Sequence, residues 1–435
     1  MKVLLCHTYY QQRGGEDETF ESEARLLESR GHEVVRFTRH NDEVRGRSML
    51  TVAGRSVWDR RTLSELRGVI ERQRPDVMHA TNLFPLLSPS VYAAARDTNG
   101  VWGGVPVVQA LRNFRVFCVG GVFTRAGKAC TECRDGGWAG RLGWPGVKHG
   151  CYRGSRPGSL AVAVTNASYR RAWMGRGRMA GPDLFLTPSE FAKRWYVEGG
   201  FDAERIRVKP NYSEAVPGDA GLGAGAGAGA GYALFVGRLS EEKGIGVLLK
   251  AWEQGAGLGR LVVVGDGPEG GAVRSAAERG VVQWLGRRNQ AECVELMRRA
   301  AFVVMPSLAP ETFGRSVVEG YGCGVPALAS RAGALPEVVR DGQTGLLCEV
   351  GDAGDLAAKA SELFADAGRR RAMGEAARAW HAERFSPEEN YRQLIAIYEE
   401  AIARRRAEQR AGTHAVSAAA LSGVVEERAT LEGAR

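Results

Sequence analysis

Apolar positions at the start of the chain switch between short continuous runs and helical spacing. Val3–His7 is an apolar run of strand length that ends before Gly14-Gly15. Over Glu18–Arg30, Phe20, Ala24 and Leu27 fall on one helical face and Gly31 closes the turn. His32–Phe37 reads as the next strand. Strand, glycine turn, helix, glycine stop and strand make a βαβ unit, which predicts a parallel sheet. The theme returns in short strands over Pro75–His79, Val105–Leu111 and Asp183–Thr187. A second series places strands at Tyr232–Gly237, Arg260–Gly265, Ala301–Pro306 and Pro326–Ser330. Helices follow over Ile245–Trp252, Glu292–Arg299 and Arg315–Tyr321. Between the two series, Gly221–Gly231 is almost pure Gly and Ala and reads as a connector. The pattern predicts an α/β chain of two Rossmann-like, doubly wound parallel-sheet domains facing a central cleft. Their expected bounds are 1–212 and 232–385, joined by 213–231. A helix over 386–410 is placed to cross back onto the first domain, and 411–435 is expected to be a frayed tail.

Length supports two cores, since 435 residues exceed what one ordinary core serves. A hydrophobic content of 44% and a charged content of 25% fit a soluble globular protein. No apolar run approaches the roughly 20 residues that cross a bilayer. Met1–His7 is too short for a signal peptide, so the expected location is cytoplasmic. The net charge of +9 is concentrated: residues 112–178 hold 13 Lys/Arg against only Glu132 and Asp135. Such a field suits an anionic partner, whether lipid headgroups, a phosphorylated acceptor or nucleic acid, or is simply a solvated basic face. Trp138, Trp144 and Trp173 lie among these cations. Lys/Arg with Trp is an interfacial composition, which raises peripheral contact with an anionic membrane on its inner face, beside the alternative of core aromatics.

Four of the eight cysteines share this segment. Cys130-x2-Cys133 is a metal-like pair, and Cys118 and Cys151 would complete four thiolates of a structural zinc site, with His149 a fifth ligand candidate. The outer two lack tight spacing, so reduced buried thiols and redox chemistry stand beside zinc; stable disulfides are disfavoured in a cytoplasm. Cys6, Cys293, Cys323 and Cys348 read as ordinary buried thiols.

The second series carries the candidate chemistry at its strand ends, where open α/β sheets collect ligands. Arg238-Leu239-Ser240-Glu241-Glu242-Lys243-Gly244 puts a planar fork and a point charge on one loop, a pairing suited to a diphosphate. Gly265-Asp266-Gly267-Pro268 is a tight turn that lets a ligand approach the backbone. Glu311-Thr312-Phe313-Gly314-Arg315-Ser316 runs into a helix whose free N–H groups at Gly314, Arg315 and Ser316 face an anion. Glu319 follows one turn on, and its carboxylate can accept both hydroxyls of a ribose.

In order and spacing, Phe235-Val236-Gly237-Arg238-Leu239-Ser240-Glu241-Glu242-Lys243-Gly244, Val263-Val264-Gly265-Asp266-Gly267-Pro268, Glu311-x7-Glu319, Gly324-Val325-Pro326 and Asp341-Gly342-x-Thr344-Gly345-Leu346-Leu347 resemble the donor domain of the family 4 retaining glycosyltransferases of the GT-B fold. The resemblance covers roughly residues 232–385. It implies that Arg238 and Lys243 neutralise the leaving diphosphate, Glu311 binds the transferred sugar, Glu319 the ribose, and the Phe313–Arg315 backbone lines the sugar and phosphate site. It further implies a UDP- or GDP-hexose donor, a glycan, lipid-linked or small-molecule acceptor, and an ion-pair route in which the departing phosphate helps deprotonate the acceptor. Without an Asp-x-Asp motif, no catalytic metal or other cofactor is required.

The first domain resembles the family's acceptor domain less tightly. Gly14-Gly15 matches its glycine loop, which places Gly15 at the donor phosphates. His79 ends a strand and is an acceptor-side candidate or a structural histidine. Many relatives carry a histidine after the strand formed here by Val107–Leu111, where this chain has Arg112-Asn113-Phe114. Arg112 therefore either stabilises charge there or marks a different sugar placement. A nucleic-acid module, motivated by the basic segment and Cys130-x2-Cys133, would leave Arg238–Glu319 without a purpose, so nucleic acid is not expected as a partner. A GT-B relative that uses free phosphate or epimerises the nucleotide sugar is the third reading.

Overall fold

The computed structural model describes residues 1–12, 14–96, 104–175, 181–214, 231–255 and 257–432, with side chains to residue 410 except those of Met49 and Leu50. Most of the Gly/Ala connector lies outside the described residues.

The first sheet contains β1 (Lys2–Tyr9), β2 (Glu33–His40), β3 (Val77–Ala80), β4 (Val107–Ala110), β5 (Leu184–Thr187) and β6 (Ile206–Val208). They lie in the order β2-β1-β3-β4-β5-β6, and every pairing is parallel. Burial on both faces explains the continuous apolar run in β1. Val3 and Leu5 pack with Phe20, Ala24 and Leu27 of helix α1 (Gly15–Ser29), whereas Leu4 and Cys6 join the core on the opposite face. Before β5 the chain makes helices α2 (Gly137–Arg141), α3 (Trp144–His149) and α4 (Arg156–Met174). These helices occupy the basic, cysteine-bearing segment.

The second sheet contains β7 (Tyr232–Val236), β8 (Leu261–Val264), β9 (Gln283–Trp284), β10 (Ala300–Met305), β11 (Ala327–Ser330) and β12 (Gly345–Cys348). Their order is β9-β8-β7-β10-β11-β12, again all parallel. The strand order reverses between β1 and β3 in the first sheet and between β7 and β10 in the second. A crevice opens at the carboxyl ends of strands at each such point. Helix α5 (Arg315–Gly322) follows β10.

The final helix, α6 (Pro387–Glu432), returns to the first domain, where Leu394, Ile397, Tyr398 and Ala401 pack against Val3, Leu5, Val108 and Leu184. Its backbone is helical through 411–432, where composition gave the expectation of a frayed tail. Among the described residues, no helix is long and apolar enough to cross a membrane.

Candidate active site

The β7–β10 switch point brings two of the sequence-predicted loops together. Glu242 O accepts hydrogen bonds from the N–H groups of Leu308 (3.0 Å) and Ala309 (3.2 Å), which ties the Arg238–Lys243 loop to the loop after β10. Across this junction Lys243 Nζ meets Glu311 Oε1 at 2.6 Å, and Ser307 Oγ donates to the same oxygen at 2.6 Å. Glu311 Oε2 makes no hydrogen bond among the described residues and stays available as an acceptor. Arg238 is exposed at the mouth of the loop and forms no ion pair among the described residues.

Gly265 sits at φ +141°, and a Cβ there would lie 1.8 Å from Gly237 O. Loop-against-loop packing therefore demands this glycine, a different reason from the ligand approach that its turn suggested. Gly314, at φ +140°, caps α5 in a conformation L residues rarely adopt. The Phe313 side chain is buried against Phe385, so only its backbone can reach a ligand. At the start of α5, N–H groups of Gly314, Arg315 and Ser316 carry the positive end of the helix dipole. Glu319, 8% exposed, accepts from Arg315 Nε (2.8 Å) and Gln290 Nε2 (3.0 Å) through Oε1. Both of these bonds fall on Oε1 and leave Oε2 without one among the described residues. Gln290 and Ser307 complete the arrangement. Neither belongs to a motif in the sequence, because their roles arise from loop proximity rather than spacing.

Arg315 reaches across the cleft: its Nη1 donates to Gly15 O at 3.1 Å. That loop is held from beneath. Asp17 accepts from Gly14 N (3.0 Å) and bonds His7 Nε2 (2.8 Å), while His7 Nδ1 meets Thr81 Oγ1 at 2.7 Å. His7 and Asp17 are fully buried and escaped the sequence reading, since ten residues separate them along the chain. Thr312 Oγ1 likewise crosses the cleft to Arg112 O (2.9 Å), and Ser189 Oγ donates to Thr312 O (2.8 Å).

Beside these crossings, a pocket open to solvent lies at the carboxyl ends of β3 and β4. Glu16, Asn82, Arg112, Arg115, Asn166 and Trp173 are among the residues lining it. Arg115 lies over the rings of Tyr10 and Phe84 and donates to Tyr10 Oη at 3.1 Å.

The two acceptor-side candidates are placed differently from each other: Arg112 is among the residues lining the pocket and His79 is not. His79 is fully buried, bonds Tyr398 Oη of α6 at 2.8 Å through Nδ1, and lines no part of the pocket. The returning α6 covers it through Tyr398, the placement expected of the structural reading. Burial, with Arg112 and Lys209 nearby, lowers its pKa to about 3, so the ring is neutral. Arg112 turns its Nη2 to Glu23 Oε2 (2.5 Å), and its charge is thereby matched inside the domain. Lys209 Nζ joins Glu23 Oε1 (2.7 Å) and Asn390 Oδ1 (3.1 Å). Burial alone would raise the Glu23 carboxyl. The charges of Arg112 and Lys209 outweigh it and hold the group well below the usual carboxylate range.

The cysteine segment folds into a small layer around α2–α4. A Cβ on Gly120 would touch Cys151 Cβ (3.6 Å) and Cys118 Sγ (3.9 Å), and one on Gly146 would touch Cys133 Sγ (3.3 Å). All four thiols, Cys130 included, are free, and burial pushes the Cys133 thiol up to about 11. Among the described residues no group of three His, Cys, Asp or Glu side chains is gathered closely enough to hold a metal ion.

Two doubly wound domains meeting across a cleft, with the Arg238–Lys243 and Glu311–Ser316 loops on one side and a pocket on the other, define the GT-B architecture. Residues 226–380 match the model described as Glycosyl transferases group 1, and residues 14–212 match that of the Glycosyl transferase 4-like domain. The chain belongs to this glycosyltransferase family. It is 35% identical over 143 residues to N-acetyl-alpha-D-glucosaminyl L-malate synthase of Bacillus anthracis, covering 32% of this chain and 37% of that protein. It is 38% identical over 197 residues to D-inositol 3-phosphate glycosyltransferase of Mycobacterium bovis, covering 42% and 40%. The chain spans less than half the length of either relative. In fold it is similar to Anabaena Alr3699/HepE, solved in complex with UDP, with a TM-score of 0.59 and 18% identity over 92% of this chain and 100% of that one.

Proposed function

We propose that this chain is a metal-independent retaining glycosyltransferase that moves a hexose from a UDP- or GDP-sugar to a glycan, lipid-linked or small-molecule acceptor. The Lys243–Glu311 pair at the β7–β10 switch point carries this reading. It sets a cation for the diphosphate beside an acceptor for sugar hydroxyls, with Arg238 on the same loop and the α5 N-terminus behind. In the proposed reaction, Arg238, Lys243 and the N–H groups of Gly314–Ser316 stabilise negative charge as the bond from the anomeric carbon to phosphate breaks. The acceptor oxygen bonds that carbon on the same face, and its proton passes to the departing phosphate. Glu311 orients the sugar, Glu319 accepts from the ribose through Oε2, and Gly15 closes over the phosphates. The protein thus contributes positioning and fixed charge rather than a nucleophile. UDP bound to Anabaena Alr3699/HepE supports a uridine donor.

The test is a panel of UDP- and GDP-sugars offered with candidate acceptors. Nucleoside diphosphate release and the anomeric configuration of the product are then read by NMR. A product of retained configuration, formed equally in the presence of EDTA, is expected. An inverted product, or a rate abolished by EDTA, contradicts the mechanism.

A further inference from the structure

Among the described residues, the best-exposed large apolar side chains lie outside the cleft. Trp138 is 78% exposed, Trp144 59%, Leu142 55%, Val164 50% and Leu160 49%. Their placement follows from local packing. Leu142 and Trp144 flank Gly143, whose missing Cβ lets the α2–α3 turn lie on Ala163 of α4; a Cβ there would stand 3.0 Å from Ala163 Cβ. Val164 comes directly after Ala163, and Leu160 one turn before. At 100° per residue, Arg156, Leu160, Val164 and Arg171 share one face of α4, and Val162, Asn166, Tyr169 and Trp173 share the opposite face. The second face is buried, and its Asn166, Tyr169 and Trp173 line the pocket beside the cleft. One helix therefore has a pocket wall on one side and an apolar, basic surface on the other.

Charge around this surface is one-sided. Glu132 is taken up by Arg125 and His149, and Asp135 by Arg134. Exposed Arg141, Lys148, Arg156 and Arg171 have no acidic partner among the described residues. Grouped exposed apolar residues of this size mark an interaction surface, and their basic surround selects an anionic partner. A second copy of the chain would set like charges against each other. Nucleic acid would give Trp rings a stacking surface but Leu142, Leu160 and Val164 no hydrocarbon. An anionic bilayer satisfies both: acyl chains receive the apolar side chains, headgroups the cations, and Trp suits the boundary between them.

We infer that the α2–α3 turn and the outer face of α4 dock this chain on an anionic lipid surface, which holds the pocket behind α4 beside acceptors borne on that lipid. The choice of a lipid-borne acceptor rests on the transferase reading above, but the docking itself requires no turnover, so the two fail separately. Co-sedimentation with phosphatidylcholine vesicles, with and without phosphatidylglycerol, tests it. The full chain binds the anionic vesicles, releases them at high salt and leaves neutral vesicles unbound. Trp138→Ser/Leu142→Ser/Trp144→Ser weakens binding by at least roughly tenfold, as does Arg141→Glu/Lys148→Glu. In both variants the melting temperature and far-UV circular dichroism match those of the parent chain, which shows that they fold. Absence of binding to anionic vesicles at low salt overturns the inference. So does unchanged binding in the Trp variant, or a concentration-dependent dimer in light scattering that the same variant abolishes, since the surface would then face a second copy.

Discussion

Replacing Glu23 with Gln keeps the shape of the side chain and removes the carboxylate that bonds both Arg112 and Lys209. All three groups are buried, with side-chain exposures of 2% for Glu23, 8% for Arg112 and 2% for Lys209. Two cations would then remain inside the protein without a counter-charge, at a cost of about 3–5 kcal/mol for breaking such a pair. At roughly 2–4 °C per kcal/mol for a domain of this size, the first domain's melting transition falls by about 6–20 °C. Calorimetry reads this directly. Lys209→Met destabilises too, but the double variant loses less than the two singles together, because only Arg112 then lacks a partner. Since the Arg112 carbonyl receives the Thr312 hydroxyl, looser packing here also weakens donor affinity. A shift below about 1 kcal/mol, or strict additivity in the cycle, would refute the reasoning.

Glu311→Ala abolishes transfer while sparing nucleotide binding; full turnover would reject its role. Lys243→Ala removes a charged contact worth about 1.5–3 kcal/mol, so the Kd for UDP rises roughly ten- to hundredfold in calorimetric titration. Gly314→Ala forces a side chain into φ +140° with its Cβ 2.8 Å from Leu335 Cδ2, at about 1–3 kcal/mol, seen as a lower melting temperature and weaker UDP binding. His79 has a folded pKa near 3, below the ordinary 6.5, so on acidification the unfolded chain takes the proton first. Its contribution to stability is present above about pH 6.5 and lost as pH falls towards 3, amounting to about 2 kcal/mol by pH 5. Urea midpoints of the parent and His79→Gln at the two pH values measure it, and equal pH dependence in both would contradict the assignment.

Both parallel sheets were legible because strands buried on both faces leave continuous apolar runs, as in Val3–His7 and Ala301–Pro306. The two-residue edge strand Gln283–Trp284 and the strand Gly345–Cys348 were not. The first is too short to carry a period, and the second lies inside a loop motif. The loops of the candidate donor site were readable because they follow strand ends and carry local motifs. The His7–Asp17 brace, the Gln290 contact to Glu319 and the Glu23–Arg112–Lys209 cluster join residues far apart in the chain. Only the fold sets them side by side. Arg112 and His79 show the same limit from the other direction: each lies near the carboxyl end of a strand, and each bonds a partner from a distant segment, Glu23 and Tyr398.

The account rests on the grip that Arg238, Lys243, Glu311 and Glu319 place on a nucleotide-diphosphate sugar. Its most direct test is a thermal-shift titration of the full chain with UDP, GDP and their sugars, run beside Lys243→Ala and Glu319→Ala. The account predicts that one nucleotide series stabilises the parent chain by about 2.7 kcal/mol at a concentration 100 times Kd, with the response much reduced in both variants. No response to any nucleotide or nucleotide sugar at saturation, or equal responses in parent and variants, would contradict it.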